Sequence, residues 1–495
     1  MSTGSPEHEL APVVVVGAGP AGMAAAVALA EHGCPVTVLD TYPVPGGQYH
    51  RTPAPGLEGP RGDARGGTEP GDPTVTAFRR HLDAGGIRLW SSTSVWMATP
   101  ASATPETAAP DGTAAVLQLT GVAGNEPPAR TLHARAVVLA TGATDRVLPF
   151  PGSDLPGVFT VGGAQALLKG QGVRVGTRVV VAGSGPFLLP VAAALASAGS
   201  TVVAVAEAAP VSTLARHAPG PWRHRATLAE GAGYAATLLR HGVGVHTSTA
   251  VTAARGDGRV EEVTLSRLGP DWTPRPGGER NLAVDAACVS FGFVPQVGLA
   301  ALLGCELTAD PVWGDMVVAV DGHQRSSVPG VFAAGEATGV TGAAGAAAEG
   351  ALAGLAVAHA LGLIDVPVLK EAGRPWRRQR AHTRDLAAAL GRMYPRGSGW
   401  TAWLTDDTVV CRCEEVDHAT VRHAIEVLGA ADLRSVKLTT RCGMGVCQGR
   451  MCGDAVADLV AGATDAPPTD RGALSTPTVL TPVPLRELAA LADPV

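Results

Sequence analysis

No run in this 495-residue chain approaches the ~18 consecutive apolar residues of a membrane span, because its alanine-rich stretches are broken by glycine and proline. Nor does its start look like a leader. Met1 to Leu10 is polar and acidic, whereas a signal peptide needs a basic start and roughly 7–15 apolar residues. Both absences point to a cytoplasmic protein, whose cysteines stay thiols or metal ligands and not disulfides. Positive charge is short as well: a net charge of −6 gives no reason to expect nucleic acid as a partner. Charged residues are only 17% and hydrophobic ones 46%, a globular composition long enough for about two to four domains. Before residue 411 no two cysteines are separated by two or four residues, so the redox pair of a disulfide reductase is missing. Cys34, Cys288 and Cys305 stand singly in apolar segments and read as core residues.

What is present begins with Pro12-Val13-Val14-Val15-Val16, a continuous apolar run of the kind buried on both faces of a parallel sheet. Gly17-Ala18-Gly19-Pro20-Ala21-Gly22 follows, then an alanine-rich helix from Met23 to His32 and a second strand from Pro35 to Asp40. Between those flanks, Gly17, Gly19 and Gly22 form the dinucleotide fingerprint. One glycine makes the tight turn, one lets the backbone approach a pyrophosphate, and the third lets helix and strand pack closely. The phosphates belong at the helix N-terminus, where free N–H groups and the dipole favour anions. Asp40 ends the second strand, where an acid can accept a ribose hydroxyl.

A second unit of the same kind runs from Arg178-Val179-Val180-Val181-Ala182 through Gly183-Ser184-Gly185-Pro186-Phe187-Leu188 to the strand Thr201–Glu207. Gly183 and Gly185 are kept and Glu207 closes the strand as an NAD site requires, but Leu188 stands in place of the third glycine. No arginine pair follows to take a 2′-phosphate, which disfavours NADP. Two readings follow: an NAD(P) site, or a retained Rossmann fold that no longer holds nicotinamide. Further strands are expected at Arg135–Ala140 and Gly330–Ala334, and a Gly/Ala-rich helix from about Gly342 to Leu361. Arg51–Pro73 and Thr99–Gly112 read as loose loops, Arg374–Arg380 as a basic linker, and the tail after Ala463 as Pro- and Thr-rich with a short helix at Leu485–Leu491.

Five of the eight cysteines crowd between Cys411 and Cys452, and four thiolates suffice for a [2Fe–2S] centre. Cys411-Arg412-Cys413 offers one pair. The second comes from Cys442, Cys447 and Cys452, and we take Cys447 and Cys452, with Cys442 as the alternate. Cys452 precedes the helix-like run Ala455–Val460, whose N-terminal dipole stabilises a thiolate. Gly443, Gly445 and Gly449 supply a tight loop with free N–H groups. The rival is structural zinc, which the narrow Cys411-x-Cys413 spacing suits less well.

Ala140-Thr141-Gly142 and Val331-Phe332-Ala333-Ala334-Gly335-Glu336 resemble the remaining signatures of two-dinucleotide-domain flavoproteins, the glutathione-reductase-like class. The resemblance implies FAD contacts at Thr141, Gly142, Gly335 and Glu336, with Glu336 on the ribityl chain where the class commonly has Asp. It also implies a flavin-contacting turn at Gly46-Gly47-Gln48, with contacts from Gly47 and Gln48, and backbone at Val95 against adenine. The cysteine segment resembles the module of bacterioferritin-associated ferredoxin. From Pro12 to the tail the chain is similar to the FAD-containing subunit of hydrogen cyanide synthase, opine oxidases and related amino-acid dehydrogenases.

The expected fold class is therefore α/β, with two Rossmann-like dinucleotide-binding domains and a small C-terminal helical [2Fe–2S] module. Residues 11–155 and 285–365 would form a discontinuous FAD domain and 156–284 a second, NAD(P)-type domain. A linker would cover 366–407, the module 408–465 and the tail 466–495. The resemblance implies a FAD and [2Fe–2S] oxidoreductase subunit that passes electrons from an amino acid, opine or similar amine to an acceptor. Its partners would be a second FAD subunit that oxidises the amine and a small ferredoxin-like subunit. The alternative is a stand-alone NAD(P)H-dependent reductase feeding its own cluster. No general base is assigned; His50, Arg51 and His81 are expected on exposed loops. The basic residues Arg374 to Arg384 read as a solvated segment, with docking of an acidic partner as the second option.

Overall fold

The computed structural model describes residues 8–53, 72–100, 114–121, 130–218, 224–464 and 479–485, with isolated positions at 125, 127, 128, 220, 488 and 489. Most of the Arg51–Pro73 and Thr99–Gly112 segments, and most of the Leu485–Leu491 helix, lie outside the described residues.

His8–Val16 is central in a seven-stranded sheet, parallel to Val36–Leu39 on one side and to Thr131–Leu139 on the other. The late strand Val331–Ala333 returns to pair with Thr131–Leu139 at Val137 to Leu139. Val13, Val14 and Val15 are fully buried because helices cover one face and the Val297–Leu303 segment covers the other. Helix Pro20–Glu31 leaves the sheet directly after the glycine turn, with Pro20 at its first position, where a missing N–H costs nothing.

Helix Gly342–Ala360 is long and apolar enough to cross a membrane, against the expectation that glycine keeps every apolar run short of that length. Here it is a core element lying across Pro20–Glu31. Glycine makes that crossing possible. A Cβ on Gly350 would sit 1.9 Å from the Ala21 carbonyl oxygen, and one on Gly354 would sit 2.5 Å from that of Ala25.

The second Rossmann unit is a five-stranded, wholly parallel sheet containing Arg178–Gly183, Thr201–Glu207 and Ala286–Ser290, backed by a three-stranded antiparallel sheet from Thr249 to Ala283. Two related βαβ units thus recur, as the paired glycine turns imply.

One expectation is corrected. Arg374–Arg380 is not a linker but lies inside Val366–Met393, a 28-residue helix that carries Pro375 in its interior. Asp365 caps it by accepting the Val368 N–H at 2.9 Å. The helix packs on Gly342–Ala360; Arg374, Arg378 and Arg384 are exposed as a solvated segment requires, although Arg384 also pairs with Glu349 at 2.8 Å and half-buried Arg380 donates to Gln324 at 2.8 Å. Proline reads as a breaker, and the packing of one helix face overrides it.

Three short helices, His418–Glu426, Leu433–Thr440 and Gly453–Thr464, enclose a core of their own around the cysteines. Ala455 also enters the core of the second Rossmann unit beside Trp400 and Trp403, so this module is seated against its neighbour.

Gly350→Ala is expected to lower stability by about 1–3 kcal/mol through overpacking of the helix crossing. Gly462→Ala, on an open helix surface, should be neutral or stabilise by about 0.5–1 kcal/mol. Urea unfolding of the two variants side by side checks this.

Candidate functional site

The first glycine turn has no room for side chains. Gly17 sits at φ +104°, and a Cβ there would lie 2.3 Å from the Ala140 carbonyl oxygen; one on Gly22 would lie 1.7 Å from that of Gly17. The Gly46–Gly47 turn closes onto the same place: Gly46 N–H donates to the Ala18 carbonyl at 2.8 Å, and a Cβ on Gly47 would meet Gly19 Cα at 2.8 Å. Asp40 is buried, and its two carboxylate oxygens accept the N–H groups of Ala18 at 2.6 Å and Tyr42 at 2.7 Å. Burial pushes its carboxyl above the usual range, against those two bonds. Gln48 is exposed and bonded to Tyr42 and to Arg51. His50 is buried 3.6 Å from Asp72, not on an exposed loop, and burial lowers its pKa against the pull of that acid.

Beside the first glycine turn, where a Cβ on Gly335 would lie 2.8 Å from that of Ala21, Gly335 and Glu336 open a single 3₁₀ turn. Burial raises the Glu336 carboxyl to about 7, opposed by a hydrogen bond from the Gly342 N–H. The residue that shapes this turn is Glu349, which belongs to no motif in the sequence. Fully buried, it accepts Gly335 N–H at 3.1 Å and the Thr338 hydroxyl at 2.6 Å, with Arg384 as its counter-charge. A lone carboxylate inside an otherwise apolar Gly/Ala helix is the signal that could have found it. Thr341 ends the same loop with a buried hydroxyl that has no protein partner, at the N-terminus of a 19-residue helix. An orphan donor beside an electropositive helix end fits the polar edge of a flavin ring.

The second glycine turn differs in the way its sequence forces. Leu188 carries the Cβ that Gly22 lacks, and the helix there starts only at Leu188, two residues later than the matching Pro20. Its opening contacts are loose i→i+3 bonds, Leu188 N–H to Gly185 and Leu189 N–H to Pro186, both at 3.3 Å, whereas Met23 N–H reaches Gly19 at 2.9 Å. Phe187 takes the capping position and packs on Phe293, with ring centroids 5.2 Å apart. Glu207 fills the turn from beneath, accepting Gly185 N–H at 2.9 Å and Ala209 N–H at 2.8 Å; burial drives its carboxyl up to about 7 against those bonds. The two turns thus share a buried acid beneath them and differ in where the helix begins.

The Sγ atoms of Cys411, Cys442 and Cys452 lie within 4.8 Å of one another, all three buried. Cys442 and Cys452 are 3.9 Å apart, and Gly443 N–H donates to Cys411 sulfur at 3.4 Å. Hydrogen bonds from Cys442 and then Cys452 hold the Cys411 thiol far down, at about 2, against burial. Cys413 is exposed, Cys447 half-buried, and the two hydrogen-bond to each other. Cys442, expected as the spare, thus faces the centre of the group. Three convergent sulfurs with a hydrogen-bonded pair of thiols in the same module are a soft donor set that suits iron–sulfur or zinc.

A cavity of about 270 Å³ lies where this module meets the first domain. Thr41, Val95 and Thr141 line one side, and Gln448, Arg450 and Asp454 from the cysteine module line the other. Arg450 also holds the tail, donating to the Leu480 carbonyl at 2.8 Å. Behind the cavity, Arg146 is 5% exposed and donates to Asp315 at 2.5 Å, to Asp454 and to the Phe293 carbonyl. Burial opposes its charge, but the two carboxylates outweigh burial and hold its pKa above the ordinary value. Arg396 joins Asp454 to Asp458, and Trp400 donates to Asp458 at 3.3 Å. No sequence signal marks this network, because its members are scattered from 146 to 458.

These features define a flavoprotein of two dinucleotide folds with an iron–sulfur module docked over the nucleotide end. The description "pyridine nucleotide-disulphide oxidoreductase" matches residues 11–351, and "BFD-like [2Fe-2S] binding domain" matches residues 409–461. The chain belongs to that oxidoreductase family; it is an FAD-dependent oxidoreductase, and its cofactors are FAD and a [2Fe–2S] cluster. A subunit of the opine oxidase of Rhizobium meliloti is 33% identical over 97% of this chain and 99% of its own. The HcnB subunit of the hydrogen cyanide synthase of Pseudomonas protegens is 30% identical over 89% of each. The crystal structure of L-proline dehydrogenase from P. horikoshii shares the fold, with a TM-score of 0.66 at 19% identity, over 97% of this chain and 80% of that one.

Two outcomes are expected. Arg146→Met removes the buried cation between Asp315 and Asp454, the latter keeping Arg396, and should cost about 3–5 kcal/mol, read as a lowered Tm with the far-UV spectrum of the folded state unchanged. Glu207 has its folded pKa raised from 4.5 to about 7, so the folded state binds the extra proton and stability falls as pH rises through that window. The unfolding free energy of Glu207→Gln should therefore gain on wild type between pH 5 and pH 8, by about 3 kcal/mol, seen as a rising Tm difference.

Proposed function

We propose that this chain is the FAD- and [2Fe–2S]-carrying subunit of a multi-subunit dehydrogenase acting on an amino acid, opine or similar amine. The observation that carries this reading is the contrast between the two glycine turns. The first keeps a closed backbone cradle; the second has its helix start displaced to Leu188, with Phe187 at the cap packed on Phe293. A chain without a competent nicotinamide cradle, and without a redox cysteine pair beside the flavin turn, takes its electrons from a partner. The names of its relatives support this, since the opine oxidase relative and HcnB are both subunits.

When bound, FAD accepts electrons in pairs and can give them up singly, and a [2Fe–2S] centre carries one at a time. The protein's own part is to hold and separate these groups. Gly17, Gly19, Gly22 and the first turn of Pro20–Glu31 would take the pyrophosphate, and Asp40 the ribose. Val95, Thr141 and Gly142 would flank the adenosine, with Gly47, Gln48, Gly335 and Glu336 toward the flavin end. Cys411, Cys413, Cys447 and Cys452 would bind the iron. The partners would be a second, amine-oxidising flavoprotein that carries its own FAD and a small ferredoxin-like protein. Eight free thiols fit a cytoplasmic setting.

Anaerobic titration of the purified chain, following the flavin absorbance, tests the assignment. Neither NADH nor NADPH should bleach it, while dithionite should. Rapid bleaching by NADH would show that the second domain is live and would make the chain a stand-alone reductase.

A further inference from the structure

The cysteine group holds one sulfur more than a [2Fe–2S] cluster can use, and the surplus is on one side. Cys413 and Cys447 are the outer thiols, one exposed and one half-buried. Cys447 stands in a loop that turns through left-handed Gly443 and Gly449. The inner side carries three thiols, each set by a regular element. Cys411 ends the strand Val409–Cys411, Cys442 follows helix Leu433–Thr440, and Cys452 precedes helix Gly453–Thr464. Cys442 and Cys452 are equally buried, at 4% each, and both lie within 4.8 Å of Cys411. Their own separation is 3.9 Å. Two sulfurs on one tetrahedral metal are about 3.8 Å apart for metal–sulfur bonds of about 2.3 Å. Three thiols this close lie within reach of one iron, and an iron that carries Cys411 and two bridging sulfides has room for only one of the other two.

Resting on the assignment of a [2Fe–2S] module, we propose that Cys442 and Cys452 are interchangeable ligands of the inner iron. In the exchange one iron–sulfur bond breaks as the other forms. The incoming thiol gives up its proton and the outgoing thiolate takes one, so no oxidant or reductant is needed. The site thereby tolerates loss or modification of one inner cysteine, which a four-cysteine module does not.

The experiment uses the full-length chain with Cys442→Ala, Cys452→Ala and the double variant; alanine is chosen because serine oxygen can itself bind iron. Iron and acid-labile sulfide are assayed, together with the EPR spectrum of the dithionite-reduced protein, and bound FAD reports that the fold survives. Each single variant should keep a full cluster, the two should differ in their reduced-state g values, and the double variant should lose its iron while keeping FAD. If either single variant alone is emptied of iron with FAD intact, that cysteine is a fixed ligand and the proposal fails. Metal without sulfide in the wild-type chain would instead sink the cluster assignment itself, which separates the two failures.

Discussion

Arg146 is the point on which the arrangement of the two halves depends. Its guanidinium is buried and satisfied only because Asp315, Asp454 and the Phe293 carbonyl surround it, and Asp454 belongs to the cysteine module. A lone buried cation there would be costly, so the guanidinium ties the cysteine module to the acid on the first half. Arg396 and Trp400 extend the grip to Asp458 one helical turn on, which fixes the direction of helix Gly453–Thr464 as well as its position. Since Cys452 is the residue before that helix, the network also sets where the inner sulfurs point.

The second organising constraint is close backbone approach. Gly22 against Gly17, Gly47 against Gly19, and Gly350 and Gly354 against helix Pro20–Glu31 form one continuous line of contacts that tolerates no Cβ. The long helix Gly342–Ala360 packs directly on the back of the helix that opens the nucleotide cradle. Glu349, on that same helix, shapes the Gly335–Thr338 turn.

The two glycine turns, the strands after them and the cysteine-rich module are legible in the sequence because each is a local pattern: a fixed spacing, a buried apolar run, a density of thiols. The displaced second helix is legible too, in the single change of glycine to Leu188. Less legible is anything that depends on distant residues meeting. Arg146 finds its acids far along the chain, and Glu349 reads as an ordinary helix glutamate until its turn is folded beside it. Pro375 argues for a linker, yet the segment is helical because its apolar face is needed by Gly342–Ala360. Cys442 reads as a spare, since spacing along a loop does not say which sulfurs converge.

The cavity at the domain junction carries a consequence for how the molecule is put together. Its outer wall is made by Gln448, Arg450 and Asp454, and its inner wall by Thr41, Val95 and Thr141. A nucleotide lying along the inner wall would be roofed by the iron-binding half. The module that holds iron would then also shape how that end of the nucleotide meets solvent.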